Sequence, residues 1–459
     1  MKPVWIINFI AVILVVASCT KTGLITSPGA ILETSADTLH FDTVFTTAGS
    51  ITQSFKIFNP NNQKLRISNI QLAGGAASAF KINVDGTPGT NFSNVDINAN
   101  DSIYVFASVV INPSNKTLPF IIQDSISFTY NTNHLWVQLD AYGQNAHFMR
   151  NTTIQHDTTW NNDLPFVILG QLTVDEGKRL TINKGAKIYC HADAPVIING
   201  TLITQGEKYD STKVIFRGDR LDEPYNSFPA GWPGIVFTAS STNNVLHFTN
   251  INNTYQAIVS VGPSLNANPK LSLDECIINN AYDAGIYTVS SSVYAENCLV
   301  SNCGTNIRIT GGGDYYFVHC TAASYGNNFI DHKNPVLTIS NADDNNQAYP
   351  LTASFVNDIS WGDGVKVDNE IAINQQGTGG FAVTFSHTLY KAKKPVTANL
   401  DNCIPNQDPQ FLNTGQSNNR YDFHLQPSSP CLQTGIKTGI LIDLDGNLRG
   451  NLPSIGCYD

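Results

Sequence analysis

"LSLDECIINN" (residues 271–280), "VYAENCLVSN" (293–302) and "YYFVHCTAAS" (315–324) align without a gap, and their cysteines, Cys276, Cys298 and Cys320, recur every 22 residues. Leu271, Val293 and Tyr315 share one column of the alignment. Leu273, Ala295 and Phe317 share the next, and Ile278, Val300 and Ala322 a third. "NVLHFTNINN" (244–253) fits the same frame, with a longer insert before the following copy, and Asn253, Asn280 and Asn302 fall in one column. A period near 22 built from strands of two to four apolar residues is the signature of a solenoid whose coils stack at one strand spacing, about 4.8 Å. Equivalent side chains then lie one above another. Apolar columns fill the interior, and an asparagine column can run as an amide ladder along a turn. A small, weakly polar cysteine suits an interior column. Side chains pointing the same way on neighbouring coils rarely satisfy the disulfide dihedral. The repeat therefore predicts free thiols at Cys276, Cys298 and Cys320. Spacing leaves the state of Cys190, Cys403, Cys431 and Cys457 open.

The repetitive texture begins near Thr159 and continues to the end of the chain. Upstream, from about Asp37 to Gly143, the pattern differs: alternating runs of seven or more residues lie between turn signals. They include "SFKIFNP" (54–60), "LRISNIQL" (65–72), "FKINVDG" (80–86), "SIYVFASVVINP" (102–113), "SISFTYN" (125–131) and "LWVQLDAYG" (135–143). Such strands over about a hundred residues predict an antiparallel β-sandwich. That region contains no cysteine, so no inter-sheet disulfide is available. His40, Asp42 and His134 stand alone within it and read as surface or turn residues.

Composition limits the function classes. The 459 residues carry a net charge of −10, with only 14% charged residues. No broad basic field exists for nucleic acid or anionic lipid. No Cys-x-x-Cys pair and no Cys/His cluster at zinc spacing occurs, so a structural metal site is not expected. The sequence assigns no cofactor and no oligomeric state.

The first residues, "MKPVWIINFIAVILVVASCTKTG", join a basic start to the apolar run Val4–Val16, too short for the roughly 20 residues of a membrane-spanning helix. This is a secretory signal. Its end, Val16-Ala17-Ser18-Cys19, resembles the bacterial lipobox. The resemblance implies a signal peptide over 1–18, diacylglycerol on Cys19 and a membrane partner through those lipids. Residues 19–36 then read as a tether. The expected address is the cell envelope, as an outer-membrane lipoprotein, its face periplasmic or surface-exposed. Surface-exported lipoproteins of the Bacteroidetes type often carry acidic residues just after the cysteine, whereas here the first is Glu33.

Further resemblances follow from quoted stretches. "FKIFNPNNQKLRISNI", "INANDSIYVFASVVINP" and "VQLDAYG" resemble ASH-type immunoglobulin-like domains, which implies a spacer or docking module over 37–145. "LTINKGAKIY", "PVIINGTLITQG", "KVIFRGDR" and "GWPGIVFT" (231–238) resemble the opening coils of right-handed parallel β-helix proteins. That implies Trp232 packed at a turn and Gly234 at a close chain approach. Asp408-Pro409-Phe411, Asp422-Phe423-Leu425, Ser429-Pro430-Gly435, Asp443-Asp445-Gly446-Arg449 and Gly456-Tyr458-Asp459 resemble the choice-of-anchor Q module that closes secreted bacterial β-helices. The last motif has Asp for the usual Glu. The fold expectation is thus all-β: an N-terminal sandwich, then a right-handed parallel β-helix over 146–459 whose C-terminal module caps the last coil.

Candidate chemistry is sparse. Asp443, Asp445 and Asn447 around Gly446 could wrap calcium, but a calcium EF-hand needs a twelve-residue loop ending in a bidentate Glu; the stretch reads as a turn. A polysaccharide lyase needs a cation and a base, and a glycosidase needs two carboxylates at a fixed separation. Glu275 and Glu296 sit beside the cysteine column, but in different columns. Asp331-His332-Lys333 is a compact polar triplet, and Asp363 lies in "WGDG". None forms a set, so no catalytic or metal-binding residue is assigned. The expected role is non-enzymatic: binding of glycan or an envelope protein through the β-helix surface. A lyase-like or glycosidase-like enzyme, and a purely structural or adhesive protein, are the alternatives.

Overall fold

The structure is a computed structural model that describes residues 23–46, 49–113, 119–377, 379–415 and 420–459. The expected signal peptide and Cys19 lie outside the described residues. The described chain is all-β, with two single-turn 3-10 segments, and no helix in it is long and apolar enough to cross a membrane. The chain divides into two compact units, 1–145 and 146–459.

The first unit is two sheets around one core. One sheet runs Leu24–Ile25, Lys64–Leu72, Phe120–Tyr130, Asn133–Gln144, Thr38–Phe45, with Asn91–Ile97 also paired to Lys64–Leu72. The other runs Glu33–Thr34, Gln53–Asn59, Asp101–Val109, Phe80–Val84, Thr87–Gly89. Alternate residues turn inward, so Phe55, Ile67, Phe80, Val105, Phe128 and Val137 meet in a single cluster. The tether expected over 19–36 is corrected here. From Leu24 the chain already belongs to the sheets, pairing Leu24 with Lys64 and Thr34 with Ile57, with Ala30 and Leu32 buried between. The Pro, Gly and Ser content around residue 28 disguised a segment whose carbonyls are held from outside. Asn61 donates to the Ile31 carbonyl (2.6 Å) and Asn131 to that of Ile25 (2.9 Å).

The second unit is a 26-stranded, predominantly parallel sheet in which most strands pair with the third strand onward in sequence. The chain therefore winds, laying three strands per rung. The repeat columns are real contacts: Leu271 pairs with Val293 and Val293 with Tyr315, while Ile278 pairs with Val300 and Val300 with Ala322. Inside, the column Leu273–Ala295–Phe317–Phe355–Phe385 ends in a pile of rings. Phe317 stacks on Phe355 at 5.2 Å and Phe355 on Phe385 at 4.8 Å. Trp232 is fully buried and donates to the Asn252 carbonyl. Gly234 (φ +120°) brings its backbone so near Gln256 that an added Cβ would lie 1.6 Å from that carbonyl oxygen.

The cysteine column has a hydrogen-bonding task. The thiols of Cys276, Cys298, Cys320 and Cys403 all point at backbone carbonyls, each reaching the carbonyl two residues earlier and one on the preceding rung. Thr388 does the same with its hydroxyl. The carbonyls two residues earlier precede the left-handed corner residues Glu275, Asn297, His319, His387 and Asn402, and each also accepts a backbone N–H from the preceding rung, so the thiol or hydroxyl meets the second lone pair. All eight described cysteines are free. Asp358 occupies the same column; burial pushes its carboxyl well above the usual range, and it accepts the Cys320 N–H.

The closing module does not cap the last rung. It runs back along the flank of the stack, which corrects the expected cap. Phe411, Phe423, Cys431, Leu444, Ile455 and Cys457 cover the outward side chains Leu299, Ala323, Ile359, Trp361 and Leu389. Strands Leu299–Ser301, Thr321–Ser324 and Ile359–Gly362 are consequently buried on both faces. The left-handed corner residues dock it. Asn297 donates to the Ile442 carbonyl and Asn357 to that of Ile436. Arg449 reaches the carbonyls of Ile442, Gly456 and Cys457 and the Asn297 amide oxygen. At the end of the stack, Val396 and Ala398 from "KAKKPVTA" (391–398) pack against the core instead.

Candidate functional site

With one flank covered, the outer face of the neighbouring strand column stays open. It is carried by Leu271–Asp274, Ala284–Glu296, Thr305–Val318 and Leu351–Val356, in which Ser272, Tyr294, Tyr316 and Ser354 stand in one outward column. Tyr294 and Tyr316 stack with ring centroids 5.8 Å apart and planes 7° from parallel. They floor a groove of about 490 Å³. One wall is the insert "GPSLNANP" (262–269), the irregularity already visible as the long gap after the 244–253 repeat. Asn266 and Asn268 both donate to Asn243, which fixes that wall.

The corner beneath the groove is built for rigidity. Two strands run through it without a break, and their register slips between Val289 and Ser291, where Ser290 adopts φ 52° against Gly311 and Gly312. A Cβ on Gly313 would lie 2.1 Å from the Ser291 carbonyl oxygen. The buried Tyr315 hydroxyl receives the Ser291 N–H (3.1 Å) and donates to the Gly312 carbonyl (2.9 Å), pinning the slip.

Two residues beyond Ser272 and Tyr294 on their strands lie the acids Asp274 and Glu296. Asp274 and Glu296 are paired in register. Burial and the Glu296 and Glu275 charges push the Asp274 carboxyl up to about 7. Burial also raises Glu296, against the hydrogen bond it accepts from the Tyr294 hydroxyl (2.5 Å). Glu275 faces elsewhere: buried, it accepts from Asn297 (2.8 Å) and pairs with His247 (3.2 Å), whose imidazole is raised by that bond.

The other residues singled out from sequence are dispersed. The triplet Asp331-His332-Lys333 is split by the backbone. Asp331 pairs with Lys366 at the surface (2.8 Å), Lys333 is exposed, and His332 is buried against Glu370 (2.9 Å). Gly362 of "WGDG" makes room for that buried pair, since a Cβ there would lie 2.1 Å from Glu370 and 2.3 Å from His332. Asp363 caps the Val365 N–H and lines two adjoining clefts of about 320 and 350 Å³, with Tyr325 and Thr414 common to both. Asp443 accepts N–H bonds from Asp445, Asn447 and Asp459, so its oxygens serve the turn. Asp445 pairs with His424 (2.8 Å). Among the described residues no group of three or more His, Cys, Asp or Glu is placed to hold a metal ion. The sequence reading missed Tyr294, Tyr316 and Asp274. Their outward placement was implicit in the aligned columns, because Tyr294 and Tyr316 alternate with the inward Val293, Ala295, Tyr315 and Phe317.

No family model and no curated protein matches the chain. Solved structures with local likeness include a family 123 glycoside hydrolase from Clostridium perfringens, described for glycolipid glycan hydrolysis. It is 13% identical over 25% of this chain and 26% of that one, with a TM-score of 0.19. Another is the ASH/PapD-like domain 7 of human CEP192, 11% identical over 26% of this chain and 89% of that domain, with a TM-score of 0.18. This chain thus spans about a quarter of the hydrolase. Likenesses at these scores carry no argument about activity.

Proposed function

We propose that this protein is a cell-envelope lipoprotein in which an immunoglobulin-like sandwich carries a right-handed parallel β-helix that binds glycan on its open face. The observation that carries the binding reading is the Tyr294–Tyr316 stack on the floor of an open groove lined by hydroxyls and amides. Aromatic faces with polar groups at their edges suit sugar rings, which present C–H faces and a rim of hydroxyls. The test is affinity electrophoresis of the full chain through gels containing defined polysaccharides, with Tyr316→Ala alongside. The expected result is retardation by a glycan and a loss of about tenfold in affinity for the variant, equivalent to about 1.4 kcal/mol. Equal migration of both proteins through every polymer would overturn it.

The lipoprotein reading rests on Val16-Ala17-Ser18-Cys19 and the basic, apolar segment before it. Labelled palmitate should enter the wild type and not Cys19→Ser; equal labelling would reject it.

One observation favours hydrolysis as a second reading. Asp274 and Glu296 are paired in register on adjacent rungs, which places two acids on neighbouring strands as a two-carboxylate hydrolysis requires. Asp274 is raised to about 7, which suits a proton donor. New reducing ends that vanish in Asp274→Asn and Glu296→Gln would establish it. Retardation with no new ends would confine the face to binding.

A further inference from the structure

We infer that the groove selects uncharged glycans and rejects uronate or sulfated polymers. The inference rests on the glycan-binding reading and assigns its ligand class. No Lys or Arg is among the residues that line the groove, whose charged member is the exposed Asp314. The remaining lining offers hydroxyls from Ser264, Ser292, Thr352 and Ser354 and amides from Asn266 and Asn268. The nearest cations are already engaged. Lys270 is fully buried beneath the wall, and its ammonium donates to the carbonyls of Thr238, Ala239 and Val261, each at 2.9 Å. His247, beyond the acids, pairs with Glu275. Around the floor the flanking charges are Asp314, Glu296 and Asp274, all acidic.

A uronate entering this groove loses hydration and meets carboxylates without a compensating cation, which is unfavourable at any ionic strength and most so at low salt. A neutral sugar meets donors and acceptors of matching kind and two aromatic faces. The same accounting bears on chemistry. Eliminative cleavage requires a positive group to hold the uronate carboxylate as charge develops on the neighbouring carbon. No Lys or Arg of this groove supplies that group.

The experiment compares a neutral mannan, a neutral β-glucan, polygalacturonate and alginate by affinity electrophoresis of the full chain at low and moderate salt. Tyr316→Ala and Thr352→Lys are run beside the wild type. Thr352 is outward and exposed, so its replacement leaves the core intact. The expected result is Tyr316-dependent retardation by a neutral polymer, uronates weaker by about tenfold or more, and a gain in uronate retardation for Thr352→Lys, as Coulomb attraction over a few ångströms predicts. Uronates held as tightly as neutral polymers, with the hold lost in Tyr316→Ala, would overturn the selectivity and leave glycan binding standing. Retardation by no polymer, or retardation indifferent to Tyr316→Ala, would overturn the glycan reading and the selectivity together.

Discussion

Two neighbouring faces of the rung stack are made by the same strand-and-corner arithmetic and end in opposite states. On one, the outward residues are Leu299, Ala323, Ile359 and Trp361, and the closing module covers them. On the other they are Tyr294, Tyr316, Asp274 and Glu296, and nothing in the described chain covers the tyrosines. The interior columns behind both faces are alike. What differs is the outward position of each strand: apolar where the chain returns, aromatic and acidic where it does not. The lesson is that in a stacked architecture the inward residues specify the fold and the outward ones specify what each flank is for.

The largest break in this contrast should come from Arg449→Ala. It removes the donor to the Gly456 carbonyl and the Asn297 amide oxygen, at about 1–3 kcal/mol for each buried orphan, while the Ile442 and Cys457 carbonyls keep the Asn297 amide and the Leu444 N–H. The closing module should detach, and proteolysis should release it under conditions that leave the wild type intact. Next is Ile359→Ala, a large-to-small change under the cover, with an expected loss of about 2–5 kcal/mol in chemical denaturation. Tyr316→Ala on the open face sharpens the comparison. Its loss should stay below about 1.5 kcal/mol, the worth of an aromatic pair, while glycan retention falls. If Tyr316→Ala proves as damaging as Ile359→Ala, the open face is a structural surface.

Two smaller effects appear as pH dependence. The Asp274 carboxyl is raised to about 7, mainly by burial. Its contribution to stability is therefore fully present below about 4 and is lost as pH rises through 7. Asp274→Asn should be more stable relative to wild type at pH 8 than at pH 4, as read by thermal melts. On the covered flank, the His424 imidazole is raised to about 9 by Asp445 first and Asp422 second. That contribution is complete below about 6.5 and disappears as pH passes 9. The ring is 39% exposed, so screening reduces the effect. His424→Gln should flatten the decline in melting temperature between pH 6.5 and 9.5, and an unchanged slope would remove the clamp from the account.

Much of the winding was legible because its cause is periodic. A 22-residue spacing of Cys276, Cys298 and Cys320 is a one-dimensional trace of three stacked corners, and free thiols follow from their parallel directions. The strand Asn91–Ile97 was not legible, since its polar alternation ("NFSNVDI") lacks the apolar rhythm of its neighbours. The return path of the closing module was hidden for a different reason. Motifs such as Asp443-Asp445-Gly446 report a turn but not which surface the turn lies on. The information sits in Leu299, Ala323 and Ile359, outward apolar residues whose need for cover is visible only once inward and outward are known. The open face was half legible: Glu296 was noticed, but its partner Asp274 and the tyrosine stack required the register.

The closing module also sets when the stack can become complete. Arrays whose rungs touch only their neighbours can form and fray rung by rung. Here residues 436–457 bridge rungs laid down near residues 297, 321 and 357, and they follow all of those rungs in the sequence. The cover over Leu299 and Ile359 is therefore supplied through contacts that span from 79 to 152 positions of the sequence. The flank behaves like a latch closed at the end of assembly, joining separate rungs into one cooperative body.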